Sequence, residues 1–173
     1  MSSPLIVSCT NRPNSKTLQV TRLYHARLAE MGLPHTLVDL QSLPNELLFT
    51  DLYGKRSDAF KPIEEQFLVA EKMLWVVPEY NGSFPGVVKV LVDALPRVAL
   101  SSKRIALVGV SSGQFGNLRG LEHLNGVLNY CQSVVMPYRA HYMKIEDWVN
   151  AQGEPTDAFR AEMDNQLKRY LSF

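Results

Sequence analysis

The sequence predicts an α/β domain with a doubly wound parallel sheet and helices on both faces. Short apolar runs alternate with amphipathic stretches along the chain, which implies strands joined by right-handed helical crossovers. The runs are continuously apolar, as is typical of strands that are buried on both sides. With 173 residues, 46% of them hydrophobic, the chain is expected to form a single domain over residues 1–173.

The first half of the chain supplies two strands and two helices. Leu5–Cys9 is predicted to be the first strand and Thr36–Leu40 the second. The helix between them carries its apolar residues on one face and ends before a glycine and a proline (Val20, Leu23, Tyr24, Leu28 and Met31, then Gly32 and Pro34). The pattern weakens over residues 41–58, which predicts a loop with a short helix. Ala59–Ala70 has Pro62 early and predicts a helix.

The second half repeats this alternation. Met73–Val77, Ile105–Val110 and the short Ser133–Met136 are predicted to be strands three to five. Helices are expected between and after them, each from one apolar face (Val87, Val88, Leu91, Val92 and Leu95; Leu118, Leu121, Leu124, Leu128 and Cys131; Phe159, Met163, Leu167 and Tyr170). Five strands alternating in this way fit the flavodoxin-like order 2-1-3-4-5, in which ligands bind beyond the carboxyl ends of the strands.

Charge and composition argue against several classes of function. The chain has 18 Lys+Arg and 17 Asp+Glu residues, so it lacks the basic excess expected of a nucleic-acid or membrane-surface protein. Its two cysteines and four histidines show no metal-ligand or disulfide-framework spacing, so no metal site is expected. No apolar run is long enough for a membrane span and no signal-peptide pattern occurs, so we expect a cytoplasmic protein.

The loop after the first strand is rich in hydroxyl and amide side chains and leads into a helix N-terminus. Backbone N–H groups and the helix dipole at such a terminus favour an anion. The hydroxyls of Thr10, Ser15 and Thr17 can donate to phosphate oxygens, and Arg12 can add a charge-assisted hydrogen bond. The alternative is a capped helix after a polar turn, with Ser15 or Asn14 as the N-cap. Neither a dinucleotide fingerprint nor a Walker lysine is present.

The loop after the third strand, Pro78–Gly86, contains two prolines and two glycines, and we expect it to be rigid. It places Tyr80 and Asn81 at the ligand end of the predicted sheet. An aromatic ring and an amide on a rigid loop suit a flat heteroaromatic ligand. The alternative is a structural turn that leads into the next helix.

Small residues follow the fourth strand and would let a ligand approach the backbone closely. Gly109–Gly113 also matches the G-x-S-x-G nucleophile elbow, with Ser111 as the nucleophile. A nucleophile elbow leads directly into its helix, whereas the apolar helical period here begins only near Leu118. A serine hydrolase that uses Ser111 with Glu122 and His141 is therefore an alternative that the pattern disfavours.

These three loops together resemble the NADPH-dependent FMN reductase family, whose members reduce flavins, quinones, azo dyes or metal oxyanions. Pro78–Gly86, with Lys89 and Asp93, is similar to the family's PEYNGSxPGxxKxxxD signature, which is a long and specific motif. The first loop is similar to the GSxRxxSxN phosphate loop, and the third is similar to the GxSxGxxGxxR segment. The correspondence covers about residues 5–137.

The resemblance implies a single flavodoxin-like FMN-binding domain and assigns a role to each loop. The first loop would hold the FMN phosphate (Thr10, Arg12, Ser15 and Thr17). The second would line the isoalloxazine, largely through backbone groups (Pro78, Glu79, Tyr80 and Asn81). The third would approach the ring (Ser111, Ser112 and Gly113).

The chemistry that the resemblance implies takes place on the flavin and needs no catalytic protein side chain. NADPH or NADH would deliver hydride to flavin N5, and electrons would pass on to a small acceptor such as a flavin, a quinone, an azo compound or a metal oxyanion, in two ping-pong half-reactions. The family also implies a homodimer or homotetramer, because neighbouring subunits help to enclose the flavin. The second hypothesis is a flavodoxin-type electron carrier without NAD(P)H turnover, although flavodoxins are usually strongly acidic and this chain is not.

The sequence departs from the family pattern at a few positions. Cys9 and Thr10 stand where Gly-Ser is common, Thr17 replaces an asparagine, and Asn117 replaces a frequent glycine. Threonine keeps the hydroxyl group, so we expect phosphate binding to tolerate that change. The adjacent helix N-terminus favours a lowered pKa for Cys9, whereas packing in the core would bury it, and we expect burial.

Overall fold

The computed structural model describes residues 3–53 and 56–173, which form a parallel sheet with helices on both faces. The strands in chain order are β1 (Leu5–Ser8), β2 (Thr36–Asp39), β3 (Lys72–Pro78), β4 (Arg104–Val110), β5 (Val134–Val135) and β6 (Ala140–Tyr142). The main path across the sheet is β2-β1-β3-β4-β5, and each pair is parallel. The predicted fold class and the order 2-1-3-4-5 are confirmed.

Six α-helices connect the described strands or follow them. They are α1 (Lys16–Glu30), α2 (Leu47–Thr50), α3 (Lys61–Val69), α4 (Gly86–Ala94), α5 (Leu118–Tyr130) and α6 (Asp157–Ser172). Short 3-10 turns occupy Leu40–Ser42, Arg97–Ala99 and Ile145–Asp147. Within the described ranges, no helix combines the length and the apolar character that crossing a membrane requires.

Two apolar clusters, one on each face of the sheet, explain why the strands are continuously apolar. In β3, Met73 and Trp75 pack with residues of α3, α4 and α5, whereas Leu74 and Val76 pack with residues of α1 and α6. Alternate side chains of one strand therefore enter different clusters, and neither face is left for polar residues. The two clusters hold the sheet between the helices, and the loops that follow the strands lie at its carboxyl edge.

The sheet edge beyond β4 differs from the prediction. Val134–Val135 pairs with the start of β4, and Ala140–Tyr142 pairs with its end; the Met136 N–H still donates to the Ile105 carbonyl at 2.8 Å, and residues 137–139 leave the ladder. Pro137 lies in this detour and has no N–H group to donate to a neighbouring strand. The predicted strand Ser133–Met136 is therefore too long, and β6 was not predicted because three residues are too few to show a period.

The segment 41–58 contains the predicted loop and short helix in its described part. Residues 54 and 55 lie outside the described residues. Asp51 is buried, and its carboxylate accepts hydrogen bonds from the backbone N–H and the hydroxyl of Ser57, the latter at 2.8 Å. These bonds tie the end of α2 to the start of the next helix.

Candidate functional site

Three loops, which follow β1, β3 and β4, meet at the carboxyl edge of the sheet and line a cleft of about 590 Å³. Parallel strands end on the same side, so the fold brings together loops that are far apart in sequence. The cleft is lined by eight of the predicted site residues, namely Arg12, Ser15, Thr17, Pro78, Glu79, Tyr80, Ser111 and Ser112. Asn81 lines an adjoining hollow with Arg12, Glu79 and Tyr80. Thr10 and Gly113 line neither.

The first loop presents positive and hydrogen-bonding groups to one end of the cleft. Ser15 is the N-cap of α1, and its hydroxyl oxygen accepts a hydrogen bond from the Leu18 backbone N–H at 3.0 Å. The Ser15 O–H remains able to donate to a ligand. The first turn of α1 has no acidic residue, so nothing there neutralises the positive end of the helix dipole. With the exposed Arg12 beside it, this end of the cleft suits a phosphate.

Thr10 lies behind the cleft wall rather than on it. Only 1% of the residue is exposed. Its hydroxyl oxygen accepts a hydrogen bond from the Arg12 backbone N–H at 3.2 Å and lies 2.7 Å from the Tyr80 hydroxyl oxygen. Thr10 thus connects the first loop with the second.

Cys9 is fully buried in the core beneath the first loop, as expected. Burial raises the pKa of its thiol well above the ordinary value, so the thiol stays protonated at neutral pH. The nearby helix N-terminus does not overcome this desolvation, because the side chain points into the apolar cluster.

Because the thiolate is the reactive form, we expect Cys9 to resist thiol reagents in the native protein. A colorimetric thiol titration near neutral pH should modify only the partly exposed Cys131, and denaturant should release the second thiol. Cys131→Ser is the matched variant, since it removes the accessible thiol and should leave no native reaction. Rapid modification of Cys9 in that variant would contradict its burial.

The second loop contains a tight turn at Tyr80–Ser83. The Tyr80 N–H donates to the Ser83 carbonyl at 2.9 Å, and the Ser83 N–H donates to the Tyr80 carbonyl at 3.1 Å. The central residues Asn81 and Gly82 have φ values of 52° and 76°. Positive φ at both positions defines a type I′ turn, for which Asn-Gly is the preferred pair. The turn holds Tyr80 and Asn81 at the mouth of the cleft.

The glycines of the third loop serve close contacts between chain segments. A Cβ atom at Gly109 would collide with the Gly116 carbonyl oxygen, and one at Gly116 would lie 2.8 Å from Cβ of His141. A Cβ at Gly113 would meet nothing within 4 Å. Gly109 and Gly116 are therefore small because the loop packs against β6, whereas Gly113 has open space but lines neither the cleft nor the hollow, and its contact with a ligand stays a prediction.

Ser111 does not have the surroundings of a catalytic nucleophile. Its hydroxyl donates to the Gly113 carbonyl at 3.0 Å and accepts from the Gly116 N–H at 3.0 Å. Nδ1 of His141 lies 2.9 Å from the Gly116 carbonyl oxygen, and Glu122 forms an ion pair with Arg139. A serine nucleophile requires a base within hydrogen-bond reach, and these three candidates do not form that arrangement.

Two cleft residues, Ile145 and Glu146, lie outside the three loops that the sequence singled out. β6 returns the chain to the carboxyl edge of the sheet, and the turn that follows it is fixed on the third loop. The Lys144 N–H donates to the Gly113 carbonyl at 2.8 Å, and the Ile145 N–H donates to the Ser111 carbonyl at 3.0 Å. The segment has no motif, so its only signal was its position after the last strand.

Residues 4–145 match the family model described as NADPH-dependent FMN reductase. The chain is 31% identical over 126 residues to a 2-hydroxy-1,4-benzoquinone reductase of Burkholderia sp, which covers 70% of this chain and 68% of that protein. It is 33% identical over 105 residues to an NAD(P)H-dependent FMN reductase of Pseudomonas aeruginosa, which covers 58% of this chain and 56% of that protein.

Solved structures of oxidoreductases share the fold. The flavoenzyme NAD(P)H:(acceptor) oxidoreductase FerB from Paracoccus denitrificans superposes with a TM-score of 0.79 at 21% identity, covering 99% of this chain and 98% of that one. The apo form of an NADH:FMN oxidoreductase, EMOB, gives a TM-score of 0.76 at 18% identity, covering 100% of this chain and 90% of that one. The architecture is thus retained where most side chains differ.

Proposed function

The chain belongs to the NADPH-dependent FMN reductase family, and we propose that its cleft binds FMN with the phosphate at the first loop. Family membership makes it an NAD(P)H-dependent oxidoreductase with FMN as its cofactor. The observation that carries the assignment of the cleft is that all three loops of the sequence resemblance line one space. Its volume lies in the range of cofactor and ligand sites.

The residues at the first loop fit a phosphate. Arg12 is exposed at the cleft and supplies a charge-assisted donor, while Ser15 has a spare O–H after capping α1. Thr17 lines the same end, in the first turn of the helix. Backbone N–H groups of that turn add donors without intrahelical partners. We assign the phosphate to these three residues and the α1 N-terminus.

The other two loops fit a flat ring system. Pro78, Glu79 and Tyr80 form one wall, Asn81 lies beside it in the adjoining hollow, and the Glu79 N–H donates to the Val110 carbonyl at 2.9 Å. Ser111, Ser112 and Gly113 follow β4 on the other side, fixed by the Ser111 hydroxyl bonds. Bound FMN supplies the hydride-accepting atom, flavin N5. The role of these residues is to orient the ring and to hold it against the loops.

The acceptor, the assembly and the location follow from the same assignment. The quinone reductase among the relatives supports a small acceptor such as a quinone or a free flavin. A homodimer or homotetramer would cover the open side of the cleft, to which Asn81 and Ser112 are exposed. A cytoplasmic location is consistent with the supply of NAD(P)H inside cells and with two unpaired cysteines.

An absorption experiment tests the proposed function. The purified protein, mixed with FMN and desalted, should retain flavin absorbance, and anaerobic NADPH or NADH should bleach it because hydride reaches the ring. Addition of a quinone should restore the oxidised spectrum. Loss of flavin on desalting would argue against the cleft assignment. Retained flavin that neither nucleotide bleaches would favour the electron-carrier hypothesis.

A further inference from the structure

Thr10 and Tyr80 connect the first and second loops through their hydroxyl groups. The two oxygens are 2.7 Å apart, although the residues belong to different loops. Thr10 is 1% exposed and Tyr80 is half-buried. The Thr10 side of the bond is shielded from water, and a hydrogen bond is stronger in such surroundings than in water.

The same Thr10 oxygen also accepts a hydrogen bond from the backbone N–H of Arg12, at 3.2 Å. A threonine hydroxyl has one donor and two acceptor sites, so it can serve both neighbours at once. The turn that carries Arg12 is therefore linked through the Thr10 hydroxyl oxygen to the phenol of Tyr80 in the second loop. The peptide N–H of Arg12 cannot shift without disturbing that link.

We propose that the Thr10–Tyr80 hydroxyl pair is a positioning element, which couples binding of the FMN phosphate at the first loop to the position of the second loop. The inference rests on the proposed function. It assigns to Thr10 an indirect role, in place of the direct phosphate contact that the family resemblance implies. It also makes the phenol of Tyr80, a residue of the second loop, a determinant of phosphate affinity.

Two other arrangements make different predictions for binding. If Tyr80 acted on the ring alone, loss of its hydroxyl would weaken FMN and riboflavin equally, since both carry the same ring. If Thr10 bound the phosphate directly, loss of the Thr10 hydroxyl would weaken FMN, whereas loss of the Tyr80 hydroxyl would leave phosphate recognition intact. The ratio of riboflavin Kd to FMN Kd separates these cases, because it isolates what the phosphate contributes.

The experiment measures that ratio by flavin fluorescence titration of the apoprotein. Tyr80→Phe and Thr10→Val are each expected to reduce it by about 3- to 10-fold, the scale of one hydrogen bond. Thr10→Ser keeps the hydroxyl and should retain the ratio of the unmodified protein. The double variant should be no worse than Thr10→Val alone, because each change breaks the same link.

Matched controls remove the same hydroxyls elsewhere. Tyr130→Phe and Thr36→Val alter exposed residues on α5 and β2 and should leave the ratio unchanged. The inference fails if Tyr80→Phe does not lower the ratio or if the two losses multiply in the double variant. Should Thr10→Val not fold, Tyr80→Phe compared with Tyr130→Phe decides the question alone. Absence of FMN binding by the unmodified protein would refute the proposed function itself, before any variant is compared.

Discussion

Gly120→Ala is expected to lower the free energy of unfolding by about 3 kcal/mol, at the upper end of the usual cost of overpacking. A Cβ atom at position 120 would lie 2.6 Å from the carbonyl carbon of Ser83 and 2.8 Å from the backbone nitrogen of Phe84. Both are main-chain atoms of the second loop, so neither can rotate away. It would also strike the side chain of Asn117, which is buried and donates to the Val77 carbonyl at 3.0 Å.

The same helix supplies the control. A Cβ atom at Gly126 of α5 would meet nothing within 4 Å, so Gly126→Ala should raise stability by about 0.5–1 kcal/mol through helix propensity. Urea denaturation of both variants gives the comparison. FMN affinity should fall only for Gly120→Ala, because only that change displaces the turn at Tyr80–Ser83. Equal stability of the two variants would show that α5 does not pack closely against the second loop at Gly120.

Arg12→Ala should weaken FMN binding by roughly 1.5–3 kcal/mol, about 10- to 150-fold in Kd, which is the scale of a hydrogen bond to a charged group. The guanidinium is exposed at the cleft beside the N-terminus of α1, so its removal should leave folding nearly unchanged. Riboflavin affinity should change little, because riboflavin lacks the phosphate. Titration of both flavins into the apoprotein provides the measurement.

Arg22→Ala is the matched charge control. Arg22 is exposed on α1, and its substitution removes the same positive charge away from the cleft. The effect on FMN affinity should be small at physiological salt and should vanish as the salt concentration rises. An FMN titration of Arg12→Ala that matches the unmodified protein would remove the phosphate assignment of the first loop.

The sequence was informative wherever the local pattern was long and the packing was regular. The apolar runs of β1, β3 and β4 predicted buried strands because both sheet faces are covered, and Ser15 was predicted as one of two possible helix caps. The prolines and glycines of Pro78–Gly86 predicted a rigid turn, and the backbone adopts positive φ at Asn81 and Gly82. These features depend on neighbouring residues, so their physical causes can be found in a short stretch of sequence.

Features that depend on distant segments were not accessible in this way. β6 is recognisable only because it pairs with the end of β4, and Ile145 reaches the cleft through that pairing. The burial of Thr10 depends on Tyr80, which approaches from another loop. Likewise, the contact between the rings of His25 and His35, with nitrogens 2.7 Å apart, joins a helix to the segment before β2. Residue composition and hydrophobic periodicity carry no information about contacts between segments that are distant in sequence.

The sheet edge farthest from β2 is divided between β5 and β6, and this division affects the tendency of the protein to aggregate. An uninterrupted outer strand offers a row of unsatisfied peptide groups that can recruit the strand of another molecule. Here one margin of the sheet is the four-residue β2, and the other is divided into segments of two and three residues by the detour at 137–139. Neither margin provides a long template for intermolecular strand addition. The division of this margin into β5 and β6 therefore also protects the folded protein against fibrillar association.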